Sequence, residues 1–325
     1  MLHRQFNRDR RIELAVLLKT GKSQSHCARV LSISRPNVCL EIKRNKDEDG
    51  VYRGGHAHKK YLERRKKTKA LERKIENDPS LRRYIICKLK KYWSPEQIEG
   101  RLKHQIKISF ISHETIYTWI YGERPGLVKY LRHQKSKYRK RRGSWARLES
   151  NKALKIRRIT ERPEVVDQRQ RLGDWEGDTV VGQEKTQRIL TYVERRTGLA
   201  MAEKLEVVTA ETVEQVTETC FKKWPVKVRQ TLTRDNGIEF GDYDQTLEKR
   251  TGLKVYRATP YHSWERGTNE NWNGLLRQFF PKGTPFATIS SDQVQQAVRL
   301  LNNRPRKRLG YKTPREEFRR CYDSD

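Results

Sequence analysis

Hydrophobic residues in the first part of the chain recur at the spacing of short amphipathic helices. Residues 7–44 predict three helices, and the third begins after Ser34. The first has Ile12, Val16 and Leu17 on one face, with Leu14 and Leu18 flanking it. A helix, a turn and a further helix that ends in basic residues is typical of a DNA-reading helix-turn-helix unit. A generic three-helix bundle with solvated charges is the alternative.

A second pair of helices is predicted after a strongly basic segment. Ser94 and Gln97 form a capping-box pattern at the start of the first helix of this pair. The next helix begins at Ser112 and directs Ile116 and Ile120 inward. We interpret the pair as a second helix-turn-helix-like unit, with a packing helix that touches no DNA as the alternative.

After residue 173 the pattern changes from helical spacing to short alternating segments. A hairpin is predicted to turn at Thr197 and Gly198, and helices are predicted over residues 209–224 and 290–302. The resulting order β-β-β-α-β-α-β-α indicates a mixed sheet flanked by helices. The expected fold is therefore multidomain, with all-α helix-turn-helix modules at the front and an α/β domain behind them.

These patterns divide the chain into five parts. They are a first helix-turn-helix domain (1–50), a basic helical connector (51–91), a second helix-turn-helix-like domain (92–130), a basic linker (131–170) and the α/β domain (171–325). The linker has little hydrophobic periodicity and interleaves Tyr138 and Trp145 with its charges. We expect it to order on a phosphate backbone.

Charge follows the same division. The chain has 72 Lys+Arg and 40 Asp+Glu, a net charge of +32. Residues 1–170 hold 45 Lys+Arg and 18 Asp+Glu, a net charge of +27. Residues 171–325 hold 27 Lys+Arg and 22 Asp+Glu, a net charge of +5. A front with this charge and with helix-turn-helix patterning favours nucleic acid as the partner.

Cysteines and apolar runs exclude several other classes of protein. The five cysteines are odd in number, widely spaced and without a Cys-x-x-Cys pair, so buried thiols are expected in place of a disulfide framework or a zinc site. No run approaches the roughly 18 apolar residues of a transmembrane helix, and no signal-peptide pattern is present. We expect an intracellular protein without a membrane partner.

The side chains expected to contact DNA lie at the ends of the recognition-like helices. Arg35 and Asn37 occupy the first turn of the third helix, where side chains reach base edges. Lys43 and Arg44 at its other end are placed for phosphate contacts. In the second unit the corresponding exposed turn contains His113, Glu114 and Thr115.

Carboxylates alternate along the first predicted strand. Asp174, Glu176 and Asp178 should therefore share one face, and a face with three carboxylates is not expected to be a core face. Asp235 lies where a later apolar strand ends, a position at which catalytic groups often occur in α/β sheets. A solvent-facing strand side and a turn aspartate are the respective alternatives.

Glu270 lies on a predicted helix that has to pack and yet carries a polar stripe. Glu270, Asn273 and Arg277 stand at i, i+3 and i+7, hence on one face. Carboxylates brought together in this way hold Mg²⁺ or Mn²⁺ in phosphoryl chemistry, where two ions activate the attacking oxygen and stabilise the leaving one. An arginine two turns after the glutamate can hold a phosphate, so Asn273 and Arg277 join the DNA-binding candidates.

Several segments carry a pattern that is specific to one family. They are GDWEGDTVVG (173–182), TRDNGIEF (233–240), SWERGTNENWNGLLRQFFPKG (263–283) and LNNRPRKRLGYKTPREEF (301–318), with SRPNVCLEIKRN and YWSPEQIEGRL nearer the front. Together they resemble the DDE transposases of bacterial insertion sequences, specifically the IS-thirty family, over nearly the whole chain. The resemblance implies an RNase H-like, retroviral integrase-like catalytic domain in a bacterial cytoplasmic, nucleoid-associated protein.

The resemblance also implies that Asp178, Asp235 and Glu270 are the catalytic, metal-binding triad, with two Mg²⁺ ions, or Mn²⁺, per active site. Glu265 is the rival for the third position, but only Glu270 has a basic residue seven positions further on. One departure is Trp272, where the family often has threonine and where we expect altered packing against DNA.

The activity implied by the resemblance is hydrolysis of a phosphodiester at an element end, followed by direct attack of the exposed 3′-OH on another phosphodiester. The front units would bind the terminal inverted repeats and target DNA, in a homodimer or a higher oligomer. The alternatives are a catalytically inactive, sequence-specific DNA-binding regulator, another RNase H-like nuclease such as a retroviral-type integrase, and a basic protein that coats DNA.

Overall fold

The computed structural model describes residues 6–71, 74–106, 111–132, 157–184, 186–241, 243–260 and 262–324. These residues belong to two compact units, Met1–Arg82 and Arg83–Asp325. Most of the predicted basic linker, including Tyr138 and Trp145, lies outside the described residues. The division into five parts therefore stays a prediction.

The front of the chain is helical, as predicted. Its helices are α1 (Arg8–Lys19), α2 (Gln24–Leu31), α3 (Arg35–Asn45), α4 (Gly54–Leu71), α5 (Pro79–Lys90), α6 (Pro95–His104) and α7 (His113–Glu123). Ser23 caps α2 by accepting from the His26 N–H, and Ser94 and Gln97 form the predicted capping box of α6. Within the described residues, no helix is both long and apolar enough to span a membrane.

The inward face of α1 differs from the prediction. Ile12 and Val16 are 43% and 56% exposed, whereas Arg11 and Leu14 are buried. The Arg11 guanidinium donates to the Glu41 carboxylate of α3 at 2.7 Å. The prediction was wrong for Ile12 and Val16 because it counted only apolar side chains, whereas Leu14, predicted to flank that face, is buried. The face that packs carries an ion pair that compensates the burial of its charges.

The rear of the chain contains the predicted mixed sheet. Its strands are β1 (Asp174–Val181), β2 (Arg188–Glu194), β3 (Ala200–Leu205), β4 (Thr231–Arg234) and β5 (Lys254–Arg257), in the spatial order β3-β2-β1-β4-β5. Strands β1, β2 and β3 are antiparallel, whereas β4 pairs in parallel with both β1 and β5. The hairpin between β2 and β3 turns at Gly198, whose φ of +75° suits glycine.

Helices cover both faces of this sheet. They are α8 (Glu164–Asp167), α9 (Ala210–Lys222), α10 (Asp244–Thr251), α11 (Gly267–Leu276), α12 (Ser291–Asn302) and α13 (Pro314–Ser324). On one face Trp175 shares a core with Phe221 of α9, and on the other Val180 shares a core with Trp272 of α11. Trp272 is 2% exposed and does not itself reach DNA, so the predicted effect of this departure on DNA packing stays a prediction.

The cysteines divide into two groups. Cys27, Cys220 and Cys321 are buried, whereas Cys39 and Cys87 are exposed, and all five are free thiols. The expectation of buried thiols therefore holds for three of them. Burial raises the pKa of the Cys220 thiol to about 12, so this thiol is unreactive at neutral pH.

Helix α6 packs against the start of α13 and the segment that precedes it. The Arg101 guanidinium donates to both oxygens of the Glu316 carboxylate, at 2.8 and 2.6 Å. Gly100 faces the ring of Tyr311, and a Cβ at this glycine would lie 2.1 Å from the ring carbon Cε1. The glycine is therefore required for the close approach of α6 to this segment.

Gly100→Ala is expected to destabilise the protein by about 1–3 kcal/mol, because the added methyl overlaps the Tyr311 ring and one of them must shift. Thermal unfolding followed by circular dichroism measures the loss. Gly122→Ala in α7 is the matched control, since a Cβ there would meet no described atom within 4 Å. Equal unfolding midpoints for wild type and Gly100→Ala would show that α6 is not held against Tyr311.

Candidate active site

Parallel pairing of β1 and β4 brings Asp178 and Asp235 side by side. The register pairs Glu176 with Thr233, and each aspartate follows two residues later, on the same face of the sheet. Asp235 comes directly after the last residue of β4, whereas Asp178 is still within β1. The two carboxylates therefore flank the position at which β4 ends.

A single guanidinium contacts both carboxylates. Arg266 Nη1 lies 3.4 Å from Asp178 Oδ1, and Arg266 Nη2 lies 3.2 Å from Asp235 Oδ2. Asn273 Nδ2 donates to Asp178 Oδ2 at 2.9 Å, and the Gly237 N–H donates to Asp235 Oδ1 at 3.0 Å. The two aspartates thus share one cation, and each has an amide donor of its own.

The electrostatics of Asp178 favour this cation. Burial raises the pKa of Asp178 to about 6, with Asp235 raising it further and Arg266 acting in the opposite direction. A carboxylate that is costly to ionise gains most from a positive charge nearby. The space between the two aspartates is therefore a position for positive charge.

Asparagines fix α11 over this face of the sheet. Asn269 is fully buried, its backbone N–H donates to Glu176 Oε2 at 2.8 Å, and its Nδ2 donates to the Glu176 carbonyl at 2.9 Å. The Thr191 hydroxyl of β2 lies 3.1 Å from the amide oxygens of both Asn269 and Asn273. These bonds set the helix against β1 and β2 and leave Asn273 facing Asp178.

The strand face that carries Asp174, Glu176 and Asp178 is covered by α11, so the expectation that it is not a core face is wrong. Asp174 and Glu176 are 1% and 0% exposed. Arg171 donates to Asp174 at 3.0 Å, and Arg195 Nη1 donates to Glu176 Oε1 at 2.7 Å. Carboxylates can be buried when each has such a partner. Both arginines lie outside β1, so the alternation along this strand could not reveal them.

Glu270 is exposed on the first turn of α11. In the part of the chain that the structure describes, no three His, Cys, Asp or Glu side chains are arranged to hold one metal ion. The structure therefore brings Asp178 and Asp235 together but does not place Glu270 with them. Glu270 does lie between Arg266 and Asn273 in the sequence, and both of these contact Asp178.

Arg277, predicted to hold a DNA phosphate, is half-buried. Its Nη2 donates to the Val181 carbonyl at 2.8 Å, and its Nη1 donates to the Phe280 carbonyl at 3.4 Å. Burial lowers the pKa of Arg277 from its usual value. The side chain ties the end of α11 to the end of β1.

The candidate DNA-contacting residues of α3 lie mostly on its surface. Arg35, Lys43 and Arg44 are exposed, and Asn37 in the first turn is half-buried. Ser34 stands at the N-cap, and Pro36 occupies the first turn, as predicted. The α3 side chains are therefore open to a partner.

The corresponding residues of α7 are engaged within the chain. His113 Nδ1 lies 2.5 Å from Glu99 Oε2, and the His113 N–H donates to the same oxygen at 2.9 Å. The Thr115 hydroxyl lies 2.9 Å from the Ser112 hydroxyl, which caps the helix. Glu99 occupies Nδ1 of the ring, so a DNA contact by the His113 side chain would have to use Nε2.

Glu239 lies beside the aspartate pair and was missed by sequence analysis. Its Oε1 accepts from Thr179 Oγ1 at 2.8 Å and from the Arg188 guanidinium. A Cβ at Gly237 would lie 2.5 Å from Glu239 Oε2 and 3.0 Å from Asp235 Oδ1. Glycine at this position therefore lets the two carboxylates approach each other.

Sequence analysis also missed Arg266 and Asn269. The signal for Arg266 was present, because it stands one helical turn before Glu270, on the stripe that continues to Asn273. Nothing in the sequence marked Asn269 as buried, since its partners belong to β1 and β2.

No protein-family model matches the chain. Curated relatives match it over nearly its whole length. The transposase of insertion sequence element IS4351 from Bacteroides fragilis is 38% identical over 330 aligned residues, which cover 100% of this chain and 98% of the relative. Transposase InsI of element IS30A from Escherichia coli K12 is 34% identical over 321 residues, 95% of this chain and 82% of the relative. The transposase of element IS1086 from Cupriavidus metallidurans is 31% identical over 321 residues, which cover 96% of this chain and 93% of the relative.

All three relatives are transposases of insertion sequences, in agreement with the class that the sequence motifs indicated. This chain belongs to the IS30 (IS-thirty) family of these transposases. It is accordingly an enzyme of the kind that cuts and joins DNA, and membership in the family implies a divalent metal requirement in general terms.

Proposed function

We propose that the chain cleaves DNA at the terminal inverted repeats of its insertion sequence and joins the exposed 3′-OH to a second phosphodiester in a metal-dependent reaction. The observation that carries this proposal is the pair Asp178 and Asp235, set side by side by β1 and β4 and sharing one cation. The strand order β3-β2-β1-β4-β5 supports an RNase H-like catalytic domain over residues 171–325.

We propose Asp178, Asp235 and Glu270 as the catalytic residues and metal ligands, with two Mg²⁺ ions per active site and Mn²⁺ as a substitute. The donor set fits, because these hard cations prefer carboxylate oxygens and because the two aspartates already share a positive charge. Glu270 belongs to the same stripe of α11 as Asn273, which contacts Asp178. Bound ions would activate the attacking oxygen and stabilise the leaving oxygen.

The surrounding residues hold these carboxylates in position. Asn273 fixes one oxygen of Asp178, and the Gly237 N–H fixes one oxygen of Asp235. Arg257, which is 4% exposed, donates Nη1 to the Asp235 carbonyl at 2.9 Å and so supports the turn after β4. We propose that this support orients the carboxylates before DNA binds, which limits the reorganisation needed during the reaction.

DNA recognition is assigned to the helical front and to the stripe of α11. The proposed contacts are Arg35 and Asn37 to base edges, Lys43 and Arg44 to phosphates, and His113, Thr115, Asn273 and Arg277 elsewhere on the DNA. Two element ends have to be held together while they are joined, so we propose a homodimer or a higher oligomer as the working form.

Arg35→Ala is expected to cost about 1–3 kcal/mol in binding to the cognate terminal repeat and little on a scrambled duplex, because a base contact is lost. Lys43→Ala, two turns further along α3, is the matched comparison and should weaken binding to both duplexes equally. Fluorescence anisotropy on the two duplexes at one salt concentration measures the difference. Equal losses on both for Arg35→Ala would remove this residue from base readout.

Strand nicking tests the proposed function. The substrate is an end-labelled duplex that carries the element's own terminal repeat, incubated with the full chain in Mg²⁺ and then in Mn²⁺. Cleavage at the end of the repeat supports the proposal. Binding without cleavage in either metal favours the second candidate, a catalytically inactive DNA-binding regulator. The observation that supports this candidate is that Glu270 does not complete a cluster with the two aspartates.

A further inference from the structure

The contact of Arg266 with the aspartates differs from a structural ion pair of the same domain. Its nitrogens lie 3.4 Å from the Asp178 carboxylate and 3.2 Å from the Asp235 carboxylate. By contrast, Arg195 binds Glu176 at 2.7 Å, within the range of about 2.7–2.9 Å that is usual for charge-assisted bonds. Arg266 is therefore a loose partner, placed between two carboxylates and bound tightly to neither.

One nitrogen of Arg266 is not satisfied by any hydrogen bond. The side chain is 15% exposed, and its Nε is buried without a hydrogen-bond partner among the described residues. A nitrogen buried in this way costs free energy, so hydrogen bonding alone does not explain why the side chain lies there. The attraction of the two carboxylates does.

We infer that Arg266 is an internal cation that occupies the aspartate pair while no divalent ion is bound, and that metal binding displaces it. Two neighbouring carboxylates repel each other unless a cation neutralises them. A guanidinium supplies one positive charge and a divalent ion supplies two, and they compete for the same position. This inference rests on the proposed assignment of Asp178 and Asp235 as metal ligands.

Because the two cations compete, the identity of residue 266 should set the metal affinity of the DNA-free protein. Removing the guanidinium leaves the aspartate pair without its internal charge, which destabilises the metal-free state. The same change removes the competitor and a positive charge from beside the ion, which stabilises the metal-bound state. Both effects act in the same direction on the binding equilibrium.

Calorimetric titration of Mn²⁺ into the DNA-free full chain measures the metal affinity without depending on enzymatic activity. Arg266→Ala is expected to bind Mn²⁺ on the order of tenfold more tightly than wild type, because one positive charge is removed from the site. Arg266→Gln, which keeps amide donors without the charge, should show the same gain, and Arg266→Lys should stay close to wild type. Arg169→Ala is the matched control, because the Arg169 guanidinium contacts Thr268 at the start of α11 at 3.0 Å.

Thermal unfolding of the same variants, with and without Mn²⁺, is a second measurement. In the presence of a chelator, Arg266→Ala should unfold at a lower temperature than wild type. Added Mn²⁺ should raise its midpoint by more than it raises that of wild type, since the stabilisation by a ligand grows with its affinity. A variant that is merely misfolded would show the lower midpoint without the larger response to metal.

The outcomes separate this inference from the proposed function. If Arg266→Ala and Arg266→Gln bind Mn²⁺ no more tightly than wild type, while Asp235→Asn loses binding, then the metal site stands and the competing role of Arg266 is overturned. If wild type, Arg266→Ala and Asp235→Asn all fail to bind Mn²⁺, both the metal site and the inference fall. Tighter binding by both uncharged variants and unchanged binding by Arg169→Ala supports the inference.

Discussion

Asp235→Asn is expected to reduce strand nicking by more than about 100-fold, since the loss of a group that only orients a metal ligand already costs roughly 10–100-fold. The substitution removes a charge and keeps the size of the side chain. Arg257 holds the backbone carbonyl of residue 235 at 2.9 Å, so the turn should remain in place. A gel-shift assay on the terminal repeat should therefore show unchanged DNA binding. Asp292→Asn, at the exposed start of α12, is the matched control and should nick like wild type.

Companion variants decide which glutamate acts with the two aspartates. Asp178→Asn and Glu270→Gln should lose nicking to a similar extent as Asp235→Asn. Glu265→Gln should retain most of it, because Glu265 Oε2 accepts from the Thr259 N–H at 2.7 Å and so has a structural role. An inactive Glu265→Gln beside an active Glu270→Gln would reassign the third residue. Nicking by Asp235→Asn at the wild-type rate would remove the aspartate pair from the chemistry.

The sheet and its two aspartates could be predicted because their signals are local. Alternation along β1 placed Asp178 on a definite face, and an apolar strand that ends in a polar turn marked Asp235. The order of the elements then indicated a mixed sheet flanked by helices. These features depend on neighbours in the sequence, and the structure shows them where the pattern put them.

Burial of charged groups could not be predicted, because it depends on partners far along the chain. Glu176 is buried because Arg195 and Asn269 satisfy it, and Arg11 is buried because Glu41 does the same. A pattern of apolar and polar letters scores each of these residues as exposed. The same limit hid Arg266, whose role appears only once both aspartates are in place.

The packing of α6 against the C-terminal segment could not be predicted from the helix-turn-helix pattern. Gly100 and Arg101 face Tyr311 and Glu316 of the C-terminal segment. This side of α6 is therefore covered by the chain itself, and DNA contacts of the second helical unit have to come from other surfaces. The exposed first turn of α7 remains the candidate.

Binding to the terminal repeat is expected to weaken steeply with salt. A protein that makes about 6–10 phosphate contacts loses roughly 10³–10⁵-fold in affinity between 50 and 200 mM salt. Residues 1–170 carry a net charge of +27, which supplies more cations than such contacts need. Some of these cations are paired within the protein, since Asp47 binds Arg53 and Lys60 at 2.9 Å each, and the net charge already counts such acids. The slope of log affinity against log salt reports only the cations that contact phosphates, so it should be smaller than the net charge.

Fluorescence anisotropy of the Asp235→Asn variant on the terminal repeat measures this slope without cleavage of the DNA. Adding Lys43→Ala should lower the slope by about one, because one phosphate contact and its released counterion are lost. Wild type in a chelator should give the same slope as Asp235→Asn, since the front is unchanged. A flat dependence over this range would mean that the basic front is only a solvated surface. Affinity would then have to come from base contacts such as that of Arg35. In that case Arg35→Ala would abolish binding to the cognate repeat, and not only relax its specificity.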